Sequence, residues 1–100
     1  MKKVLFICSG GMSSAIVEKA LKKEAQKASV ELETSAVGSG EAQDAILNHD
    51  WDLILVAPQV RNRYETFKQY ADQKQVQIEN IPPRDYSPLG GAHLLKLVQK

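Results

Sequence analysis

Two short apolar runs restrict what this chain can fold into more than any other feature of its sequence. Residues 4–7 and 53–57 contain no polar side chain, yet each run is far shorter than the ~20 residues of a membrane-spanning helix. Runs of this length are typical of strands covered on both faces, as the inner strands of a parallel sheet are. The sequence therefore predicts two central strands, at residues 3–7 and 52–57.

Two other segments alternate between apolar and polar residues. Residues 30–36 and 76–79 alternate with a period of two, which is the pattern of a strand with one exposed face, so each is expected at an edge of the sheet. With helices between the strands, the pattern predicts one α/β domain over residues 1–100. Its core is an open four-stranded parallel sheet of order 2-1-3-4, with right-handed crossovers and helices on both faces.

Helical spacing of apolar side chains predicts a helix after each strand. The first is predicted to begin near Ser13 or Ser14, with Ala28 as the last residue of its buried stripe. A turn at residues 38–40 precedes the second, and Ser87 with Pro88 is the predicted N-cap and first-turn pair of the fourth. The second helix is predicted to turn Ala42, Ala45 and Ile46 inward, and the third to carry Val60, Tyr64, Phe67 and Ala71 at helical spacing.

The single cysteine, Cys8, lies where the first strand ends and a loop of small residues begins. That loop consists of Ser9, Gly10, Gly11, Met12, Ser13 and Ser14. A strand, a glycine-containing loop and a helix start together leave several backbone N–H groups aimed into one concavity, where anions bind. The same groups favour a thiolate, so the pattern predicts Cys8 as a nucleophile and residues 9–14 as a phosphate-binding loop. The competing interpretation is that Cys8 is a small buried hydrophobic residue.

The predicted strand order reverses between strands one and three. In open α/β sheets, ligand chemistry occurs at the carboxyl ends of the strands beside such a reversal. The loop after Cys8 is therefore expected to face residues 58–61, and the two segments are expected to form one site. Gln59 and Arg61 become secondary site candidates, the alternative for Arg61 being a solvated helix residue.

Composition excludes several classes of function. The 13 basic and 12 acidic residues give a net charge of +1, without the basic stripe expected of a nucleic-acid binder. No Cys-x-x-Cys pair or His-rich cluster suggests a metal or a cofactor, and His49 and His93, judged to lack carboxylate or cysteine partners, are assigned no role. The apolar run that ends at Cys8 is too short for a signal peptide, so a soluble, cytoplasmic domain is expected.

Three segments of the chain resemble a known family. Residues 6–14 (FICSGGMSS), 52–60 (DLILVAPQV) and 82–86 (PPRDY) are similar to the enzyme IIB component of the bacterial sugar phosphotransferase system, of the lactose/cellobiose (diacetylchitobiose-like) type. The resemblance covers essentially the whole chain. Its specific part is the Cys-Ser-x-Gly-Met-Ser-[ST] loop, and the Pro-Gln pair after strand three reinforces it. One departure is Ala57, which stands where the family prefers a glycine.

The resemblance implies a phosphocarrier. In that family the cysteine after strand one takes a phosphoryl group from a histidine of a IIA component and passes it to a sugar held by a membrane-embedded IIC component, and Cys8 matches that cysteine. The implied partners are therefore a IIA donor and a IIC permease, with docking at the inner face of the membrane and no membrane insertion of this domain. The sugar itself is not specified.

Two other functions remain open from the sequence. A low-molecular-weight phosphatase has a similar sheet and a Cys-x5-Arg loop whose arginine stabilises the transition state, but Ser14 stands at the arginine position here. Without that guanidinium the chain is expected to be a slow hydrolase at best. The second alternative is a regulatory module that has kept the fold and senses phosphorylation through Cys8.

Overall fold

The computed structural model describes residues 1–10 and 15–99, which form a four-stranded parallel sheet with helices on both faces. The strand order is β2-β1-β3-β4, so the predicted fold class and order are confirmed. The strands are β1 (Lys2–Cys8), β2 (Leu32–Gly38), β3 (Leu53–Val56) and β4 (Gln77–Asn80). The helices are α1 (Ala15–Lys27), α2 (Ala42–Asn48), α3 (Tyr64–Lys74) and α4 (Gly91–Gln99).

The inner strand β1 pairs along its length with β2, from Lys2 opposite Leu32 to Cys8 opposite Gly38. On its other side it pairs with β3, which in turn pairs with β4. All four residues of β3 are buried, as are the last five of β1. The uninterrupted apolar runs thus correspond to the two strands that are covered on both faces.

Side chains of β1 divide the core into two layers. Val4 and Phe6 pack beneath α1 and α4, whereas Leu5 and Ile7 pack beneath α2 and α3. Because successive strand residues point to opposite faces, a four-residue apolar run supplies both layers. The residues of α2 that were predicted to face inward, Ala42, Ala45 and Ile46, are all buried.

The end of α1 differs from the prediction. Ala28 is exposed beyond the last helical residue, Lys27, so placing it on the buried stripe was wrong. Ser29 takes up a left-handed conformation with φ of 58°, and the N–H of Val30 donates to the oxygen of Ala25 at 2.8 Å. This closure satisfies a terminal carbonyl and turns the chain toward β2.

Two further helix starts also differ. The predicted helix from Val60 begins as a 3₁₀ turn, Pro58–Arg63, with a non-helical Val60, and becomes α-helical only at Tyr64. The fourth helix begins at Gly91 and not at Ser87 with Pro88, because a separate turn precedes it, in which the N–H of Gly90 donates to the backbone oxygen of Ser87 at 3.1 Å. The predicted turn at 38–40 is a 3₁₀ turn, Ser39–Glu41, that follows β2.

Helices α1 and α4, which cover the same face of the sheet, approach one another closely. A Cβ placed on Gly91 would lie 2.5 Å from the backbone oxygen of Ala20, so only glycine fits at this contact between α4 and α1. Among the described residues, no helix is long and apolar enough to cross a membrane.

Candidate functional site

The carboxyl ends of the four strands lie at one edge of the sheet, and backbone hydrogen bonds continue there beyond the strands. The N–H of Ala57 donates to the oxygen of Ile7 at 2.9 Å, and the N–H of Ile81 donates to the oxygen of Val56 at 2.8 Å. The segments that follow β1, β3 and β4 are therefore held side by side. This is the edge where the strand order reverses and where the sequence predicts the site.

Cys8 is the last residue of β1 and is fully buried. Its thiol contacts the backbone oxygen of Val37 on β2, with a distance of 3.8 Å between sulfur and oxygen, and it packs in the apolar layer beneath α2 and α3. A thiol is a weak donor, so this contact holds the protonated form loosely. The burial of Cys8 agrees with the interpretation as a small buried hydrophobic residue. Its position at the end of the strand agrees with the interpretation as a nucleophile.

Only the first part of the predicted phosphate-binding loop can be compared with the structure. Ser9 and Gly10 are exposed, and a Cβ on Gly10 would meet no atom of the described residues within 4 Å. Gly11, Met12, Ser13 and Ser14 lie outside the described residues, so their role remains a prediction. Gly38 borders this loop, since a Cβ there would lie 3.5 Å from the oxygen of Ser9. This contact was not predicted, because Gly38 was interpreted as an ordinary turn residue.

A cleft of about 370 Å³ lies between the segments that follow β3 and β4. Gln59 and Arg61 are both exposed and line it from the β3 side. Pro83 and Tyr86 line it from the other side. The structure thus brings the two secondary candidates together at one cleft, at the same edge of the sheet as Cys8.

A buried carboxylate lies in the segment that borders this cleft. Asp85 is only 7% exposed, and its Oδ1 lies 2.8 Å from Nδ1 of His93, whose side chain is 59% exposed. The statement that His93 lacks a carboxylate partner was therefore wrong. The pair joins the segment after β4 to α4. Gly90 permits it, because a Cβ there would lie 1.9 Å from the oxygen of Asp85.

Tyr64, at the start of α3, has a structural contact of its own. Its hydroxyl donates to the backbone oxygen of Ile78 on β4 at 3.2 Å. Burial raises the pKa of the Tyr64 phenol above its ordinary value, and the Lys68 ammonium opposes that shift in part. Tyr64 therefore joins α3 to the edge strand as a neutral donor.

Metal chemistry has no visible basis in the part of the chain that the structure describes. No group of three or more histidine, cysteine, aspartate or glutamate side chains there is arranged to hold a metal ion. The pair of Asp85 and His93 supplies two such side chains.

Fold and site together define a class: a small α/β domain with a single cysteine at the carboxyl end of an inner parallel strand, beside the reversal of strand order. A family model described as "PTS system, Lactose/Cellobiose specific IIB subunit" matches residues 3–96. The chain belongs to this family. The resemblance drawn from residues 6–14, 52–60 and 82–86 is confirmed.

Two curated relatives carry the description "PTS system lactose-specific EIICB component". The protein from Staphylococcus haemolyticus (strain JCSC1435) is 33% identical over 99 residues, and that from Staphylococcus aureus is 32% identical over 99 residues. Each match covers 97% of this chain but only 17% of the relative. The chain therefore spans about a sixth of the length of these curated relatives.

Two solved structures share the fold. The lactose-specific IIB component domain from Streptococcus pneumoniae superimposes with a TM-score of 0.78 at 29% identity, covering 95% of each chain. The cellobiose-specific phosphotransferase IIB component from Borrelia burgdorferi gives a TM-score of 0.74 at 23% identity, covering 98% of this chain and 88% of the other. The second likeness bears on the fold alone.

Proposed function

We propose that this chain is a phosphocarrier of the sugar phosphotransferase system that carries the phosphoryl group on Cys8. The observation that supports this most is the position of Cys8. It is the last residue of an inner strand, at the reversal of strand order, in a chain that belongs to the IIB family. A cysteine is also the most nucleophilic of the ordinary side chains that form covalent intermediates.

The proposed transfer has two steps. The Cys8 thiolate attacks phosphorus of a phosphohistidine on a IIA component, so that an S–P bond forms, the N–P bond breaks and the leaving imidazole takes up a proton. A sugar hydroxyl then attacks the same phosphorus, an O–P bond forms, and the S–P bond breaks to return the thiolate. The hydroxyl proton passes to a base on the sugar-binding component. No step consumes water or an oxidant.

Burial of Cys8 has two consequences for this chemistry. A buried charge is costly unless nearby groups compensate it, so the charged nucleophile needs stabilisation at the moment of attack. We assign that role to the N–H groups and hydroxyls of residues 9–14, which the sequence predicts as the phosphate-binding loop. Burial also keeps bulk water away from sulfur, which suits a carrier because the phosphoryl group must persist until the sugar arrives.

The proposed partners are a IIA donor and a IIC permease. The name EIICB of the curated relatives joins a IIC and a IIB component, which supports a IIC partner for this domain. We place the domain in the cytoplasm, docked at the inner membrane face through that partner. Gln59 and Arg61 are proposed to border the surface that receives the donor, because both are exposed at the cleft.

Neither alternative function is favoured. A phosphatase of similar fold depends on an arginine that Ser14 replaces, and membership of the IIB family gives no support to hydrolysis. A purely regulatory module would need Cys8 only as a sensor. It differs from the proposal in one measurable respect, because it passes no phosphoryl group onward.

The decisive experiment compares the wild-type chain with Cys8→Ser. Each is incubated with phosphorylated IIA and analysed by intact mass, and then with the membrane-bound IIC component and sugar. Wild type is expected to gain one phosphoryl group and lose it to sugar. Cys8→Ser is expected to gain none, because a serine hydroxyl is far less nucleophilic than a thiolate at neutral pH.

Thermal melts of both proteins serve as the folding control. Stable phosphorylation of the Cys8→Ser protein on a histidine would place the carrier residue elsewhere. Loss of the group from wild type as inorganic phosphate, with no sugar phosphate formed, would favour a hydrolase. Retention of the group in the presence of IIC and sugar would favour the regulatory alternative.

The role of Arg61 is tested by Arg61→Gln, with Arg63→Gln as the charge-matched control. Arg63 is also exposed, but its guanidinium lies 5.4 Å from the centre of the Phe67 ring. At low salt, Arg61→Gln is expected to slow transfer from IIA several-fold, because charges at an interface rim steer encounter, and the difference should shrink at high salt. Equal effects of the two substitutions would make Arg61 a solvated residue only.

A further inference from the structure

The small net charge of this chain hides a separation of charge between its two helical layers. Helices α1 and α4, on one face, carry five lysines and two carboxylates. Helices α2 and α3, on the other face, carry two lysines and three carboxylates. Composition alone does not show this separation, which appears once the helices are placed on the sheet.

The outer side of α1 is where the positive charge collects. Lys19, Lys23 and Lys27 recur at every fourth residue and are exposed, on the side of the helix away from the buried Val17, Leu21 and Ala25. Lys22 is exposed at the margin of the same side, and Lys96 of the neighbouring α4 is exposed as well.

The two carboxylates of α1 lie at its flanks and are already engaged. Glu18 accepts from the hydroxyl of Thr34 at 2.9 Å, and Glu24 pairs with Lys27 at 3.6 Å. Within the described residues, no ion pair joins Lys19 or Lys23 to a carboxylate. These two ammonium groups are therefore available to an external anion.

Exposed apolar side chains border the same face. Ile16, 60% exposed, belongs to the first turn of α1, and Leu89, 93% exposed, lies two residues before α4. Met1, 75% exposed, lines a surface hollow together with Lys22 and Gln26 of α1. These three are the large hydrophobic side chains that the described residues expose. Ile16 belongs to the basic helix, Met1 lines a hollow with it, and Leu89 precedes α4, which packs against it.

We propose that the outer face of α1, with Lys19 and Lys23 at its centre and Ile16 and Leu89 at its rim, docks on the surface of an anionic lipid bilayer. Lysines there are attracted by the negative surface potential, and the apolar side chains enter the interfacial region. Base recognition would instead call for arginine side chains and stacking aromatics, and α1 contains neither. The inference is independent of the proposed function, since it rests on charge and exposure alone.

The test is cosedimentation of the full chain with vesicles of phosphatidylcholine, alone or mixed with phosphatidylglycerol. Binding is expected only to the mixed vesicles and is expected to weaken as salt is added. Each lysine near an anionic surface contributes about a fivefold increase in partitioning. Lys19→Gln with Lys23→Gln is therefore expected to weaken binding roughly 25-fold.

The matched control removes two lysines from the other layer. Lys68→Gln with Lys74→Gln makes the same change in net charge on α3 and is expected to leave vesicle binding within about twofold of wild type. Far-ultraviolet circular dichroism melts check that both variants fold. Equal losses in the two double variants, or no binding of wild type to the mixed vesicles at low salt, would overturn the proposal.

A second variant separates a lipid surface from a general polyanion site. Ile16→Ser with Leu89→Ser is expected to weaken vesicle binding several-fold, because it removes the apolar side chains that enter the interface. A short DNA duplex serves as the comparison polyanion. If the duplex binds as tightly as the mixed vesicles and the apolar variant affects neither, lipid docking is wrong and the face is a nonspecific anion surface.

Discussion

The two helical layers are built on the same sheet by different means. On one face, α1 and α4 meet through a glycine, Gly91, and together cover the inner strands. On the other face, α2 has only seven residues and leaves a surface cavity of about 600 Å³, whose floor includes Leu5 and Val37. Aromatic side chains, chiefly Phe67 of α3, complete the cover of the sheet on this face.

The comparison teaches that close backbone approach and large side chains are alternative ways to cover a sheet. Cys8 belongs to the layer of the second kind, where its thiol reaches the carbonyl of Val37 at the end of the open cavity. In the layer covered by aromatic side chains, truncation of such a side chain should lower the stability of the fold. In the layer where two helices meet at a glycine, replacement of that glycine by a larger residue should lower it.

The largest effect is expected from Phe67→Ala. Phe67 is 1% exposed, so truncation removes its buried ring and leaves a cavity, which should lower the free energy of unfolding by about 3–5 kcal/mol. Ile16→Ala, on the exposed side of α1, is the control and should change stability by less than about 0.5 kcal/mol. Urea unfolding measures both. A loss below about 1 kcal/mol for Phe67→Ala would show that α3 does not depend on this ring.

A smaller loss is expected from enlarging Gly91. Replacement of glycine by alanine within a helix normally stabilises by roughly 0.5–1 kcal/mol, so any loss is diagnostic of a clash. Because the new methyl group would lie 2.5 Å from the oxygen of Ala20, Gly91→Ala should destabilise by about 1–3 kcal/mol. Gly40→Ala, where no atom lies within 4 Å, is the matched control. Equal melting temperatures for the two variants would contradict the close approach of α4 to α1 at Gly91.

The smallest effect concerns the hydrogen bond from Tyr64 to β4. Tyr64→Phe should lower stability by about 0.5–1.5 kcal/mol at neutral pH, because the carbonyl of Ile78 loses its donor. Burial raises the pKa of Tyr64 in the fold, so its phenol ionises first in the unfolded chain. Stability is therefore full below about pH 10 and falls above it.

The pH dependence provides the specific readout. Denaturant unfolding at a series of pH values around 10 should show a shallower alkaline loss for Tyr64→Phe than for wild type, and Tyr70→Phe is the control. If the two alkaline slopes coincide, the phenol of Tyr64 is not held neutral by the fold.

Sequence periodicity predicted the sheet well because the apolar pattern of each strand indicates whether one or both of its faces are covered. Four or five apolar residues in succession at 4–7 and 53–57 require cover on both faces, and the alternation at 30–36 requires it on one. From that, the order and the position of Cys8 at the carboxyl edge follow by general rules of parallel sheets.

The contacts that the sequence did not predict depend on loops. Asp85 and His93 are eight residues apart, and they meet because the chain doubles back at Gly90, which no periodic pattern encodes. The start of α4 was misplaced for a related reason. Ser87 suits both a helix cap and a local turn, and its hydroxyl accepts from the N–H of Leu89 in either case. The structure forms the turn, which the N–H of Gly90 closes on the backbone oxygen of Ser87.

The hydrogen bond from Ala57 to Ile7 bears on how members of this family can diverge. It joins main-chain atoms, and Ala57 has φ of −67° and ψ of 151°, an extended conformation open to any residue. The glycine that the family prefers is therefore not needed for backbone freedom at this position. Its replacement by alanine adds one buried methyl group and leaves the strand that ends in Cys8 in register. A small side chain can therefore occupy position 57, while the alignment of the two strand ends depends on backbone atoms alone.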